Sequence, residues 1–182
     1  MSAGLAAELV ELLGVDRASA IPVVDDGFEG IYRWHARRKL RDVPVVRAVR
    51  VGNRIVGVAM LDRIDEAVGY VYYVAVSRAH RGRGLGGRLL DDALHRFRAD
   101  RLRVAYGAVE EENAASIALF RSRGFRTVDR AEPGFRDGGL GAWGLRSRMM
   151  LVPGEVLFGI RLAPAEGDRP GVSDLPGPTR PA

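Results

Sequence analysis

Apolar residues fall at Leu5, Leu9, Leu12 and Leu13 and stop at Gly14, a spacing that predicts an amphipathic first helix over the opening dozen residues. Ile31, Trp34 and Leu40 predict a second helix that begins near Asp26, beyond a loop containing Pro22. The period then changes. Val45–Val51 and Arg54–Leu61 are β-branched runs joined through Gly52-Asn53, a hairpin signal because both turn residues tolerate positive φ. Val68–Val76 reads as another strand, and Leu89, Leu90, Leu94 and Phe97 form one stripe of a helix over Leu85–Arg98. Leu102–Val109 is the next strand. Asn113 opens a helix to Arg123, and Gly124 supplies its left-handed C-cap. Phe125–Val128, Arg146–Val152 and Glu155–Leu162 complete the predicted strands, the last two joined about Pro153-Gly154. Pro133–Gly144 holds five glycines and reads as a loop. Beyond Ala163 few apolar residues remain, so 163–182 reads as a Pro/Gly-rich disordered tail.

At 182 residues and 47% hydrophobic content, the chain predicts one domain over 1–162. No apolar run is long enough to span a membrane, and Glu8 and Glu11 interrupt the only stretch resembling a leader. A cytoplasmic protein without membrane partners is expected. The absence of cysteine removes disulfides, thiolate metal sites and cysteine nucleophiles. His35, His80 and His95 have no metal-ligand spacing with carboxylates, so no metal is expected. The net charge of +5 comes from dispersed arginines without an aromatic-interleaved basic stripe, which argues against nucleic acid as a partner.

The candidate chemistry begins at Val74-Ala75-Val76-Ser77-Arg78-Ala79-His80-Arg81-Gly82-Arg83-Gly84-Leu85-Gly86-Gly87-Arg88. A strand here runs through a basic, glycine-rich loop into a helix. Glycines let successive backbone N–H groups approach one ligand, and the helix start adds unpaired donors and the positive end of its dipole. A pyrophosphate suits such a cradle, and Arg78, Arg81, Arg83 and Arg88 add charge.

Arg81, Gly84 and Gly86 occupy the Arg/Gln-x-x-Gly-x-Gly/Ala signature of the GNAT family of N-acetyltransferases. Asn113-Ala114-Ala115-Ser116-Ile117-Ala118-Leu119-Phe120 with Gly124-Phe125 resembles the family's second block. The resemblance covers about Val45–Val152. It implies an α/β (α+β) fold with a mixed, mostly antiparallel sheet flanked by helices, and acetyl-coenzyme A held between two splayed strands. It implies that the strand carrying Val74 and Val76 pairs with the pantetheine arm, and that the Val74 backbone N–H polarises the thioester carbonyl. The loop Arg81, Gly82, Arg83, Gly84, Leu85, Gly86 and Gly87 would hold the pyrophosphate, with Asn113 and Phe120 beside the pantetheine. The reaction implied is direct acetyl transfer to a primary amine of a small-molecule or peptide acceptor.

Two departures stand out. Phe120 replaces the tyrosine that protonates the departing thiolate in the family; a thiol with a pKa of about 8.5 also leaves as the anion, and Ser116, Tyr72, Tyr73 and Tyr106 are candidate substitutes. The family's leading strand is missing from the predicted elements, and Glu155–Leu162 is additional, serving either to pair with a second copy in a homodimer or to cover the sheet edge. An amine must lose a proton, and Glu110, directly after a predicted strand, is the candidate base; Glu111 and Glu112 read as solvated turn. Tyr32, Trp34, His35 and the Phe135–Trp143 stretch lie where the family binds acceptors. A catalytically silent acyl-coenzyme A-binding module is the alternative. Gly82-x-Gly84-x-x-Gly87 with Glu110 also satisfies a dinucleotide fingerprint, but the antiparallel hairpin signals disfavour that reading.

Overall fold

The computed structural model describes residues 6–128 and 154–162. The first element is β1 (Ala7–Glu11), not a helix. It pairs antiparallel with β2 (Val45–Val51), setting Leu9 opposite Val49 and Glu11 opposite Arg47. Leu9 and Val10 pack on opposite faces of the sheet. Glu8 and Glu11 meet Arg50 at 2.7 Å and Arg47 at 3.4 Å, so cross-strand pairing outweighs the helical spacing. This restores the leading strand that the resemblance implied and the periodicity obscured.

Pro22 does not sit in a loop. After a 3₁₀ segment, Gly14–Ala20, it occupies the first turn of the short helix α1 (Ile21–Gly27), where its missing N–H costs nothing. The predicted second helix is α2 (Gly30–Asp42), starting later than Asp26.

The hairpin of β2 and β3 (Arg54–Arg63) and the strand β4 (Val68–Val76) follow as expected, and α3 (Leu85–Ala99) leads to β5 (Val104–Glu110). Next come α4 (Ala114–Ser122), the two-residue β6 (Arg126–Thr127) and β7 (Glu155–Arg161). Among the described residues, the seven strands are ordered β1-β2-β3-β4-β5-β7-β6. Every neighbouring pair is antiparallel except β4 with β5, so the doubly wound parallel sheet required by the dinucleotide reading is not formed. One apolar cluster lies between the sheet and α3, around Leu89, Leu90 and Phe97. A second, around Val23, Val24 and Leu40, lies under α1 and α2 on the opposite face.

β7 covers the β5 edge, one of its two expected roles: seven residues pair with β5, from Val104↔Arg161 to Glu110↔Glu155, and β6 pairs with Phe158 and Gly159 on its other side. The predicted strand Arg146–Val152, the glycine-rich stretch Pro133–Gly144 and the tail lie outside the described residues. Among those described, no helix is long and apolar enough to cross a membrane.

Candidate active site

The site is built where β4 and β5 part. Their parallel pairing runs from Val68↔Val104 to Val71↔Gly107 and stops, although β4 continues to Val76 and β5 to Glu110. Just beyond the vertex, the Tyr70 hydroxyl rather than β4 backbone hydrogen-bonds the Ala108 backbone. Ser77 N–H donates to Val56 O on β3 at 2.9 Å. Backbone polar groups alternate sides along a strand, so the N–H groups of Val74 and Val76 turn to the opposite edge, into the gap. Arg81 Nε donates to Val76 O at 3.0 Å, consistent with that orientation.

A cleft of about 360 Å³ opens along this gap, lined by Val74, Arg81, Glu110, Asn113, Ser116 and Phe120 among others. At one end the loop turns through Gly82 (φ 73°) and Gly84 (φ 75°), both left-handed, with open space where a Cβ would stand. Gly84 is the N-cap of α3, and no side chain caps that end, so its first-turn N–H groups face outward for an anion. Gly82, Arg83 and Gly84 are exposed, whereas Leu85 is core. Gly86 and Gly87 lie within the helix rather than in the turn. A Cβ on Gly87 would meet the Arg123 guanidinium, which ion-pairs Asp91 at 3.1 Å; Gly87 makes room for that contact. Asn113 Oδ1 accepts the Ser116 N–H at 3.0 Å and caps α4.

Phe120 is buried on the cleft floor, packed edge-on to Phe125 at 4.8 Å between ring centres and tilted against Phe158. It shapes the floor but carries no proton. Ser116 lies on the cleft; Tyr106 is buried and does not line it.

The other end of the cleft is acidic and aromatic. Glu110 lines it, while Glu111 and Glu112 stay in the exposed turn. Glu155 stands opposite Glu110 in the β5–β7 register and lines the same space. Tyr32 donates its O–H to Glu110; burial, then the charges of Glu155 and Glu110, push its phenol up to about 12. Burial and Glu155 also raise Tyr73. His35 lies beside Tyr73, 2.6 Å from Nδ1 to the hydroxyl oxygen, and burial followed by the nearby Lys39 and Arg38 charges lowers its pKa. Trp34 is 58% exposed and sits under Arg38 at 5.9 Å, outside the cleft lining. Sequence reasoning missed Glu155, because its place here depends on strand register. It also missed Asp26, which accepts the Arg78 backbone N–H and pairs with the Arg78 side chain at 3.2 Å, bracing the loop. A prediction follows for this end. Glu110→Gln removes the carboxylate acceptor and its charge, so the Tyr32 phenol should titrate below about 12; the 295 nm absorbance titration checks this, and an unchanged curve would separate the two groups.

These features agree with an independent comparison. The model of the acetyltransferase (GNAT) family matches residues 8–125, spanning the splayed strands, the glycine turn and α4. The chain belongs to the GNAT family. It is 35% identical over 100 residues to the N-alpha-acetyltransferase RimI of Mycobacterium tuberculosis, covering 53% of this chain and 61% of that protein. It is 33% identical over 96 residues to the L-methionine sulfoximine/L-methionine sulfone acetyltransferase of Pseudomonas aeruginosa, covering 50% and 56%. The matches thus span less than two thirds of these curated relatives' own lengths. The GNAT fold extends further: the ribosomal-protein-S18-alanine N-acetyltransferase of Escherichia coli superposes with a TM-score of 0.65 at 15% identity, over 90% of this chain and 99% of that one.

Proposed function

We propose that this GNAT protein is an N-acetyltransferase that moves the acetyl group of acetyl-coenzyme A directly to a primary amine. The observation that carries the reading is the open gap between β4 and β5 beyond Val71 and Gly107, ending at the left-handed Gly82–Gly84 turn. An acyl-coenzyme A fits these residues. The Val74 and Val76 edge offers backbone groups to the pantetheine amides, and the loop Arg81–Gly87 offers backbone N–H groups and arginines to the pyrophosphate. Asn113, Ser116 and Phe120 border the same channel.

Acetyl-coenzyme A supplies the thioester whose carbonyl carbon the amine attacks. The Val74 N–H is assigned to the carbonyl oxygen, where a donor stabilises developing negative charge. Glu110, with Glu155 opposite, draws in a cationic amine and takes its proton, leaving the nitrogen lone pair for attack. The relatives' names, an N-alpha-acetyltransferase and an acetyltransferase of amino-acid analogues, support an amine acceptor. A cytoplasmic location belongs to the same proposal and rests on these bacterial relatives.

The test is thermal unfolding with acetyl-coenzyme A and, separately, NADH, followed by thiol release with L-methionine sulfone, L-alaninamide, an alanyl peptide and spermidine. A ligand that binds only the native state raises its stability, by about 2.7 kcal/mol at a hundred times Kd. The expected result is a shift with acetyl-coenzyme A alone and amine-dependent thiol release. A shift without release by any amine would favour a silent acyl-coenzyme A-binding module, the reading that Phe120 supports.

A further inference from the structure

Phe120 leaves the departing sulfur without the family's phenol, and the five tyrosines of the chain bear on the replacement. Tyr106 is buried away from the cleft. Tyr70 is buried, with its oxygen on the Ala108 backbone. The Tyr32 O–H donates its hydrogen bond to Glu110. The Tyr72 ring lies against the Lys39 ammonium, 3.8 Å from its centre. Tyr73 differs from these: it lines the cleft one residue before Val74, and its oxygen is 2.6 Å from a titratable nitrogen, His35 Nδ1. Phe28 packs edge-on against the Tyr73 ring at 4.8 Å, and His35 reaches it from α2 across 38 positions of sequence. The phenol is held in one place by both neighbours.

We propose that Tyr73 is the proton donor to the departing coenzyme A thiolate and that His35 is the positioning residue that holds its hydroxyl. The proposal rests on the acetyltransfer reading above. As the amine nitrogen forms its bond to the carbonyl carbon, the C–S bond breaks and sulfur keeps the electron pair. The Tyr73 O–H proton passes to sulfur. His35, in its Nδ1–H tautomer, donates a hydrogen bond to the phenolate oxygen as it forms, and the proton that Glu110 took from the nitrogen returns through solvent to Tyr73, so that each turnover ends with the amide, the thiol and the starting protonation states. Burial and the carboxylates keep the Tyr73 phenol protonated until the sulfur departs, and burial with the nearby cations keeps His35 neutral. Among the described residues, Tyr32, Tyr72, Glu110 and Glu155 act on Tyr73, and Arg38 and Lys39 act on His35.

The experiment uses the full chain, saturating acetyl-coenzyme A and whichever amine of the four named above gives the fastest thiol release. Tyr73→Phe should lower kcat roughly a hundredfold, the low end for general acid–base catalysis because a thiolate already leaves tolerably. The acetyl-coenzyme A thermal shift and KM should stay within about twofold of the parent, as binding does not use the hydroxyl. The solvent deuterium isotope effect on kcat should disappear. His35→Gln keeps the phenol and should lower kcat by about tenfold with an altered alkaline limb of the pH profile. Tyr73→Phe turnover within twofold of the parent, or a parallel loss of kcat and of the acetyl-coenzyme A shift, would overturn the donor role alone. Absence of thiol release from the parent protein with every amine would overturn the acetyltransfer reading, and the donor with it.

Discussion

Gly84→Val should leave a folded protein whose unfolding temperature no longer responds to acetyl-coenzyme A. Gly84 holds φ at 75° as the N-cap of α3, and nothing stands within 4 Å of the position a Cβ would take. The penalty is therefore conformational, not a clash: a β-branched residue in the left-handed region costs about 1–2 kcal/mol. The chain relieves that strain by rotating φ to negative values, which swings the adjoining peptide N–H groups away from the anion site. Loss of two charge-assisted hydrogen bonds at about 1.5–3 kcal/mol each lowers affinity by at least about a hundredfold. Gly84→Asn separates conformation from chemistry, because asparagine visits the left-handed region more readily; it should keep most of the shift. Equal responses from the parent and Gly84→Val in calorimetric titration would remove the pyrophosphate from this turn.

The turn was legible in sequence because its causes are local. Glycine at Gly82 and Gly84, a strand before them and an amphipathic helix after them are enough to specify a strand–turn–helix cradle. The same holds for Asn113 and Gly124, whose capping roles depend on residues within one turn. What local pattern could not convey is who lies across from whom. β1 is five residues long and acquires its identity from β2, about forty positions away, so its leucine spacing read as a helix. The approach of Glu155 to Glu110 depends on the β5–β7 register, and Tyr73 finds His35 only once α2 has packed on the sheet. Even Phe120 was half legible: the missing hydroxyl is plain from its identity, but its burial among Phe125 and Phe158 is a tertiary fact. The loops and caps of the glycine-turn end are written locally, whereas the acidic, aromatic end of the cleft is assembled from distant strands and a helix.

Gly107→Val should destabilise the protein by about 3 kcal/mol and weaken acetyl-coenzyme A binding together with stability. Gly107 is the last β5 residue paired with β4, at the vertex from which the strands part. A Cβ there would stand 2.5 Å from Phe120 Cε1 and 2.8 Å from Cζ, with Val71 O at 3.4 Å on the neighbouring strand. The Phe120 ring is itself pinned by Phe125 and Phe158, so it cannot withdraw into the core. It moves toward the cleft it already lines, or β5 moves away from β4 and disturbs the vertex. Either route couples packing to the binding channel. For a chain of this size, 3 kcal/mol corresponds to a fall of roughly 6–12 °C in Tm. Gly107→Ala should show a smaller loss of the same kind, since one methyl still demands displacement of the ring. Pairing Gly107→Ala with Phe120→Leu in a double-mutant cycle checks the cause: the smaller side chain should recover part of the loss. Additive effects would mean that the ring is not what Gly107 accommodates.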